Sequence, residues 1–197
     1  ENDEWWGLGF TEWVNLKRAE PVFPGHRQPR VPLHGNYYNL LDPAVWKWQE
    51  ALAREHGIDA FCYYHYWFKG KKLLEKPVEG ILADNSLSLP FCLSWANEAW
   101  TRAWNGKTGV VLMSQDYGGA DDWKRHYKYL RAFFLDQRYL KVDGKPVFLI
   151  YRSADIRVFD EMLAIWDRLA RDDGFPGLYI VETLNGIQMA PCSDRSD

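Results

Sequence analysis

Hydrophobic positions along this chain switch repeatedly between a helical and a strand-like spacing. After a loop-like stretch over residues 1–41, Asp42 and Pro43 read as the cap and first position of a helix. Val45, Trp48 and Leu52 mark its apolar face and Gly57 its end. Ile58 to Tyr66 then reads as a buried strand. A helical segment over Leu73 to Leu82 follows, with Pro77 expected to kink it, and Leu89 to Trp95 forms the next apolar run. Val110 to Met113 has the look of a short extra strand. Asp121 to Phe134 carries Trp123, Tyr127, Leu130 and Phe134 at helical spacing, and Asp143-Gly144 signals a turn before the strand Pro146 to Tyr151. The last pair is a helix over Ile156 to Arg171, with Phe159, Met162, Leu163, Trp166, Leu169 and Ala170 on one face, and a strand over Leu178 to Thr183.

Near-continuous apolar strands separated by helices imply right-handed crossovers and a parallel sheet, hence an α/β fold. An eight-stranded barrel takes about 250 residues, so these βα units amount to about half of one. The reading favoured over an open doubly wound sheet is a partial (β/α)8 TIM barrel truncated at both ends. It forms one incomplete domain over 1–197: an aromatic loop region (1–41), the βα units (42–186) and a loose tail (187–197).

Composition sharpens this picture in one respect. Hydrophobic residues make up 47% of the 197-residue chain, and 11 Trp, 11 Tyr and 10 Phe exceed what a core alone requires. Extended polar-aromatic ligands, glycans above all, account for such an excess, because ring faces stack on sugar C–H surfaces. A formal charge of -3 without a basic run argues against a nucleic-acid surface. No apolar stretch approaches the roughly 20 residues that cross a bilayer, and no signal peptide is visible, so a cytoplasmic location is expected. Cys62, Cys92 and Cys192 have neither a disulfide-framework nor a zinc spacing and are expected to be buried thiols in a reducing compartment. His26, His34 and His56 lack paired spacing, so no metal is expected, and no cofactor motif is present.

Functional groups of a parallel α/β fold collect at the carboxyl ends of its strands. One such end, Trp95-Ala-Asn97-Glu98-Ala-Trp100-Thr-Arg102-Ala-Trp104, carries an amide, a carboxylate and several indoles where a turn would carry small polar residues. Glu98 is the candidate acid, base or hydroxyl-binding group. Trp95, Asn97 and Trp100 are candidate sugar contacts, joined from other strand ends by His65, Trp67, Tyr151 and Arg152 and, less strongly, by Glu182 and Asn185. Residue parity decides which of these face the site, and the sequence does not fix it. In the amino-terminal loop, Glu4-Trp5-Trp6-Gly7 and Gly9-Phe10-Thr11-Glu12-Trp13 suit a lid or subsite wall, with Glu12 and Trp13 as its candidate contacts; Thr11 or Asn15 as a helix cap explains part of that pattern without a ligand.

These motifs, together with Cys62-Tyr-Tyr-His65-Tyr-Trp67-Phe and Gly144-Lys-Pro-Val-Phe-Leu-Ile-Tyr151-Arg152, resemble the WbsX family up to about Gly186. That family comprises glycosyltransferases of bacterial O-antigen and capsule gene clusters, and is similar in fold to glycoside hydrolase family 99, a (β/α)8 barrel. The resemblance implies an oligosaccharide or polysaccharide substrate. It also implies a strand upstream of Glu1 and further βα units leading to an Asn-Glu-Trp-Ala-Glu type segment, which looks like the paired glutamates of the hydrolases and does not occur here. The main catalytic carboxylates are then expected beyond Asp197, with Glu98 and His65 in supporting roles and the isolated chain inactive. Ala99 and Ala103 depart from the more usual Asn and Arg of the family. Transferase and hydrolase stay open, since both work around an oxocarbenium-like transition state, although no phosphate-binding feature for a nucleotide-sugar is found. A non-catalytic glycan-binding module is the alternative.

Overall fold

The computed structural model describes residues 2–102, 107–184, 190–194 and 196. Short helices α1 (Asn2–Trp6) and α2 (Glu12–Arg18) lead into α3 (Pro43–Glu55), β1 (Phe61–Phe68), β2 (Lys71–Leu73), α4 (Lys76–Ala83) and β3 (Phe91–Trp95). Then come β4 (Trp100–Arg102), β5 (Lys107–Met113), α5 (Ala120–Phe134), β6 (Lys141–Val142), β7 (Lys145–Ile150), α6 (Phe159–Asp172) and β8 (Tyr179–Glu182).

β1, β3, β7 and β8 pair in parallel and in chain order. β2 folds back antiparallel on the end of β1, β6 pairs antiparallel with the start of β7, and β4 pairs with β5 as a separate ribbon. Core residues of α4, α5 and α6 pack on a single sheet face, the one carrying His65's neighbour Trp67, Leu93, Trp95, Phe148, Ile150 and Ile180. A doubly wound sheet reverses its strand order and covers both faces with helices. Here the order is sequential, and on the other face of β1 Cys62 and Tyr64 are exposed.

Local chemistry explains most element boundaries. Asp42 caps α3, its Oδ1 accepting from the Ala44 N–H at 2.9 Å, with Pro43 in the first turn. Asp143 and Gly144 both adopt positive φ, 50° and 79°, and so close the β6–β7 hairpin. Pro77 begins α4 instead of kinking a longer helix, which leaves residues 71–73 free to form β2.

The face of α3 differs from the expected one. Trp48 and Leu52 are exposed, whereas Trp46 and Ala53 are buried. Trp46 packs with Ile81 and Leu87, and its Nε1–H donates to the Leu40 carbonyl at 2.7 Å. This packing needs Gly80 on α4, where any Cβ would overlap the Trp46 ring. The amino-terminal region holds two short helices instead of loop alone, and Thr11 does stand at the α2 cap position, though its side chain makes no cap hydrogen bond.

Candidate functional site

Strand parity on β1 sorts its aromatic end into two environments. His65 and Trp67 point under the helices; Tyr64 and Tyr66 point to the opposite face, where Tyr64 is 60% exposed. On the helix side, His65 Nε2 meets His126 Nε2 at 2.8 Å, and Trp67 stacks on the His126 ring at 4.6 Å. The Trp67 indole donates to Asp122 Oδ2 at 3.2 Å, and Trp95 stands edge-on to His126 at 4.7 Å. Burial drives the His65 pKa down to about 3 and lowers that of His126 as well, so both rings are neutral. The structure therefore puts His65, Trp67 and Trp95, expected as sugar contacts, in the core, each at most 6% exposed.

Asn97 is likewise drawn inward and is fully buried. Its Nδ2 donates to the Arg152 carbonyl at 2.8 Å and to the Tyr117 hydroxyl at 3.4 Å, while its Oδ1 accepts from the Arg152 N–H at 2.8 Å. The Tyr117 hydroxyl in turn donates to the Asn97 carbonyl at 2.9 Å. Donors and acceptor of the amide are thus engaged in tying the end of β3 to the end of β7, a structural role for the residue expected as a sugar contact.

The next residue behaves differently. Glu98 keeps 44% of its side chain exposed and accepts from Arg152 Nε at 2.5 Å. Burial disfavours the Arg152 charge, but the Glu98 carboxylate outweighs it and holds the guanidinium above its usual pKa. The charge of Glu98 also reaches Tyr66. Burial first, then the charges of Tyr64, Glu12 and Glu98, raise its pKa, so the phenol stays protonated and can donate. Trp100 stands edge-on to Tyr66 at 5.6 Å and to Trp5 at 5.4 Å. Arg102 fixes the α1 end by donating to the Trp5 carbonyl at 2.9 Å, with its guanidinium 5.2 Å over the Trp6 ring.

Of the expected site residues, Trp100 meets the Tyr66 ring, the charges of Glu98 and Glu12 act on its phenol, Arg152 pairs with Glu98, and Tyr151 lies against Arg152, whose guanidinium is 5.8 Å from its ring. Trp13 is engaged elsewhere: its indole donates to the Tyr38 carbonyl at 2.9 Å and its ring meets Tyr37 and Tyr38 edge-on. Glu182 is occupied by the Ser153 and Ser196 hydroxyls and by the Cys192 and Ser193 N–H groups, which lower its pKa against the cost of burial. Ala103, Trp104 and Asn185 lie outside the described residues. Tyr64 and Tyr66 were not among the sequence candidates; two-residue alternation from His65 was the signal that could have found them.

Together these groups can accept hydrogen bonds at a carboxylate, donate them from a phenol and a guanidinium, and offer ring surface at a sheet's carboxyl end, the chemistry that hydroxylated ligands require. A separate apolar cavity of about 600 Å³, lined by Tyr38, Leu40, Leu52, Phe61 and Tyr63 among others, adjoins α3 and contains none of these groups. Among the described residues no cluster of three or more His, Cys, Asp or Glu could hold a metal ion. No described helix is long and apolar enough to cross a membrane.

Two relatives called uncharacterized protein WxcX, from two strains of Xanthomonas campestris pv. campestris, are each 43% identical to the chain over 180 residues, 91% of its length. The chain spans 26% of each relative. A solved structure described as a glycoside hydrolase-like protein overlays 77% of this chain and 46% of its own, at 15% identity and a TM-score of 0.49. The family model for glycosyltransferase WbsX matches residues 1–197 in full, and the chain belongs to that family.

Proposed function

We propose that this chain supplies a sugar-binding wall of a carbohydrate-active enzyme that makes or cleaves glycosidic bonds in a bacterial surface polysaccharide such as O-antigen, acting in the cytoplasm. Its sheet is one segment of a (β/α)8 barrel, a reading supported by sequential parallel strands with helices packed on one face. Membership of a glycosyltransferase family supports a glycan as the ligand. The observation that carries the reading is the Glu98–Arg152 pair, part-exposed at the strand ends beside Tyr66 and Trp100, while neighbouring Asn97 is wholly consumed by the fold.

In this scheme Glu98 accepts from sugar hydroxyls, Arg152 fixes the carboxylate's orientation, the Tyr66 phenol donates, and Trp100 and Tyr151 offer ring surface. Glu98 supports the reaction, and the carboxylates that protonate the leaving group and stabilise the oxocarbenium-like transition state belong to the longer protein.

The test is made on the full-length protein with an oligosaccharide series, following both transfer product and released reducing ends. Glu98→Gln is expected to lower kcat/KM at least about tenfold with little change in melting temperature. Unchanged kinetics would make Glu98 structural. Glycan binding without any turnover in the wild type would favour the binding-module alternative.

A further inference from the structure

Cys62 on β1 and Cys92 on β3 are direct register partners in the parallel ladder, so both side chains project from the same face of the sheet. Neighbouring strands lie about 4.8 Å apart, within the Cα separation of about 4.4–6.8 Å that a disulfide spans. The two thiols are neighbours across the ladder, and they are unequal: Cys62 is exposed and Cys92 buried. The adjoining Cys92 thiol favours the Cys62 thiolate over the opposing effect of burial, so its pKa falls, while the same neighbour together with burial pushes Cys92 up. The expectation of buried thiols therefore holds for Cys92 and fails for Cys62 and Cys192, which are exposed. Both paired cysteines lie at the amino-terminal ends of their strands, away from Glu98.

We propose that Cys62 and Cys92 form a reversible thiol–disulfide pair, with Cys62 the sulfur that reacts with hydroperoxides and Cys92 the sulfur that resolves the product. The Cys62 thiolate attacks one peroxide oxygen, the O–O bond breaks, and hydroxide leaves and takes up the proton lost by the thiol; Cys62 becomes a sulfenic acid. The Cys92 thiol then attacks the Cys62 sulfur, the S–O bond breaks, and the hydroxyl leaves as water with the Cys92 proton. Two thiols are oxidised to one disulfide, and one hydrogen peroxide is reduced to two waters. Parallel neighbours hold their Cβ atoms about as far apart as their strands, whereas disulfides prefer about 3.5–4.5 Å. Closure must draw the starts of β1 and β3 together, and a bond formed against that resistance is readily reduced.

The pair is tested by exposing the folded protein to one equivalent of hydrogen peroxide, alkylating the remaining thiols and mapping the peptides. Two of the chain's three thiols should disappear into one Cys62–Cys92 cross-link that millimolar reduced glutathione reopens. In Cys92→Ser, Cys62 should stop at the sulfenic acid and be captured by dimedone. A wild-type measurement needs no variant to fold: Cys62 should be alkylated faster than Cys192 at neutral pH. Equal alkylation rates, a cross-link involving Cys192, or a wild-type Cys62 that stops at the sulfenic acid would each overturn the assignment.

Discussion

The two faces of β1 carry similar residues and do opposite things. His65 and Trp67 on one side, Tyr64 and Tyr66 on the other, are four consecutive polar-tipped rings. Beneath α5 the polar tips find protein partners: His65 meets His126, and Trp67 donates to Asp122. On the other face Tyr64 is largely exposed, and the Tyr66 phenol feels the charges of Glu12 and Glu98. The same split recurs one strand away, where buried Asn97 joins strand ends and part-exposed Glu98 pairs with Arg152. Polar aromatic residues therefore signal a ligand only after the hydrogen-bond partners within the fold have been counted.

The most severe break falls on the helix side. Trp95 is 1% exposed and contacts Tyr117, His126 and Trp166. Trp95→Ala should cost about 3–5 kcal/mol, read as a lower urea midpoint, and any loss of activity should track the unfolded fraction. A variant of wild-type stability with reduced glycan binding would instead place Trp95 in the ligand wall.

Acid should discriminate between the faces next. The His65 pKa is depressed to about 3 and that of His126 is also depressed, so the folded protein resists protons that the unfolded chain binds at an ordinary histidine pKa of 6.5. The stability contributed by neutral burial is complete above 6.5 and drains as pH falls below it toward the folded values. At about 1.4 kcal/mol per pH unit per group, lowering pH from about 7.5 to about 5.5 should cost about 2–3 kcal/mol. Urea titrations across that range measure it. A flat profile would show that the pair is not buried neutral, and the double variant His65→Phe/His126→Leu should flatten the wild-type slope.

Asn97→Ala comes third, at about 2 kcal/mol, because it strands the Arg152 N–H and carbonyl beneath the strand ends. Glu98→Gln, one residue on, should shift stability by at most about 1 kcal/mol, as part-exposed ion pairs do. Comparable melting losses for the two variants would erase the distinction between a structural amide and a site carboxylate.

Much of the scaffold was legible because its signals are local. Asp42-Pro43 and Asp143-Gly144 set backbone conformation by themselves, and the apolar spacing of Phe159, Met162, Leu163 and Trp166 fixed the buried face of α6. The α3 face was misread because its burial depends on a distant glycine: Gly80 admits the Trp46 ring, and that contact outweighs the Val45, Trp48 and Leu52 stripe. The site was legible as a strand end and obscure as a set of side chains. Its composition is visible in one run of residues, but whether His65 or Tyr66 faces Glu98 depends on the phase of β1 against β3, set by the register His65↔Trp95. Likewise nothing local reveals that Asn97 finds both of its backbone partners on Arg152, 55 residues away.

The smallest effect on stability should come from the open face, at Tyr64. With 60% of its surface exposed, Tyr64→Ala should change the unfolding free energy by no more than about 0.5 kcal/mol. If that face belongs to a glycan-binding wall, losing one ring from it forfeits about 0.5–1.5 kcal/mol of stacking, a two- to tenfold rise in Kd. Calorimetric titration of the full-length protein with an oligosaccharide gives the affinity, and a thermal melt of the same sample gives the stability. A weakened Kd with an unchanged melt assigns Tyr64 to the ligand. A depressed melt with unchanged Kd means that this face packs against protein in place of ligand, and the ligand wall then contracts to Tyr66, Glu98, Trp100 and Arg152 at the strand ends.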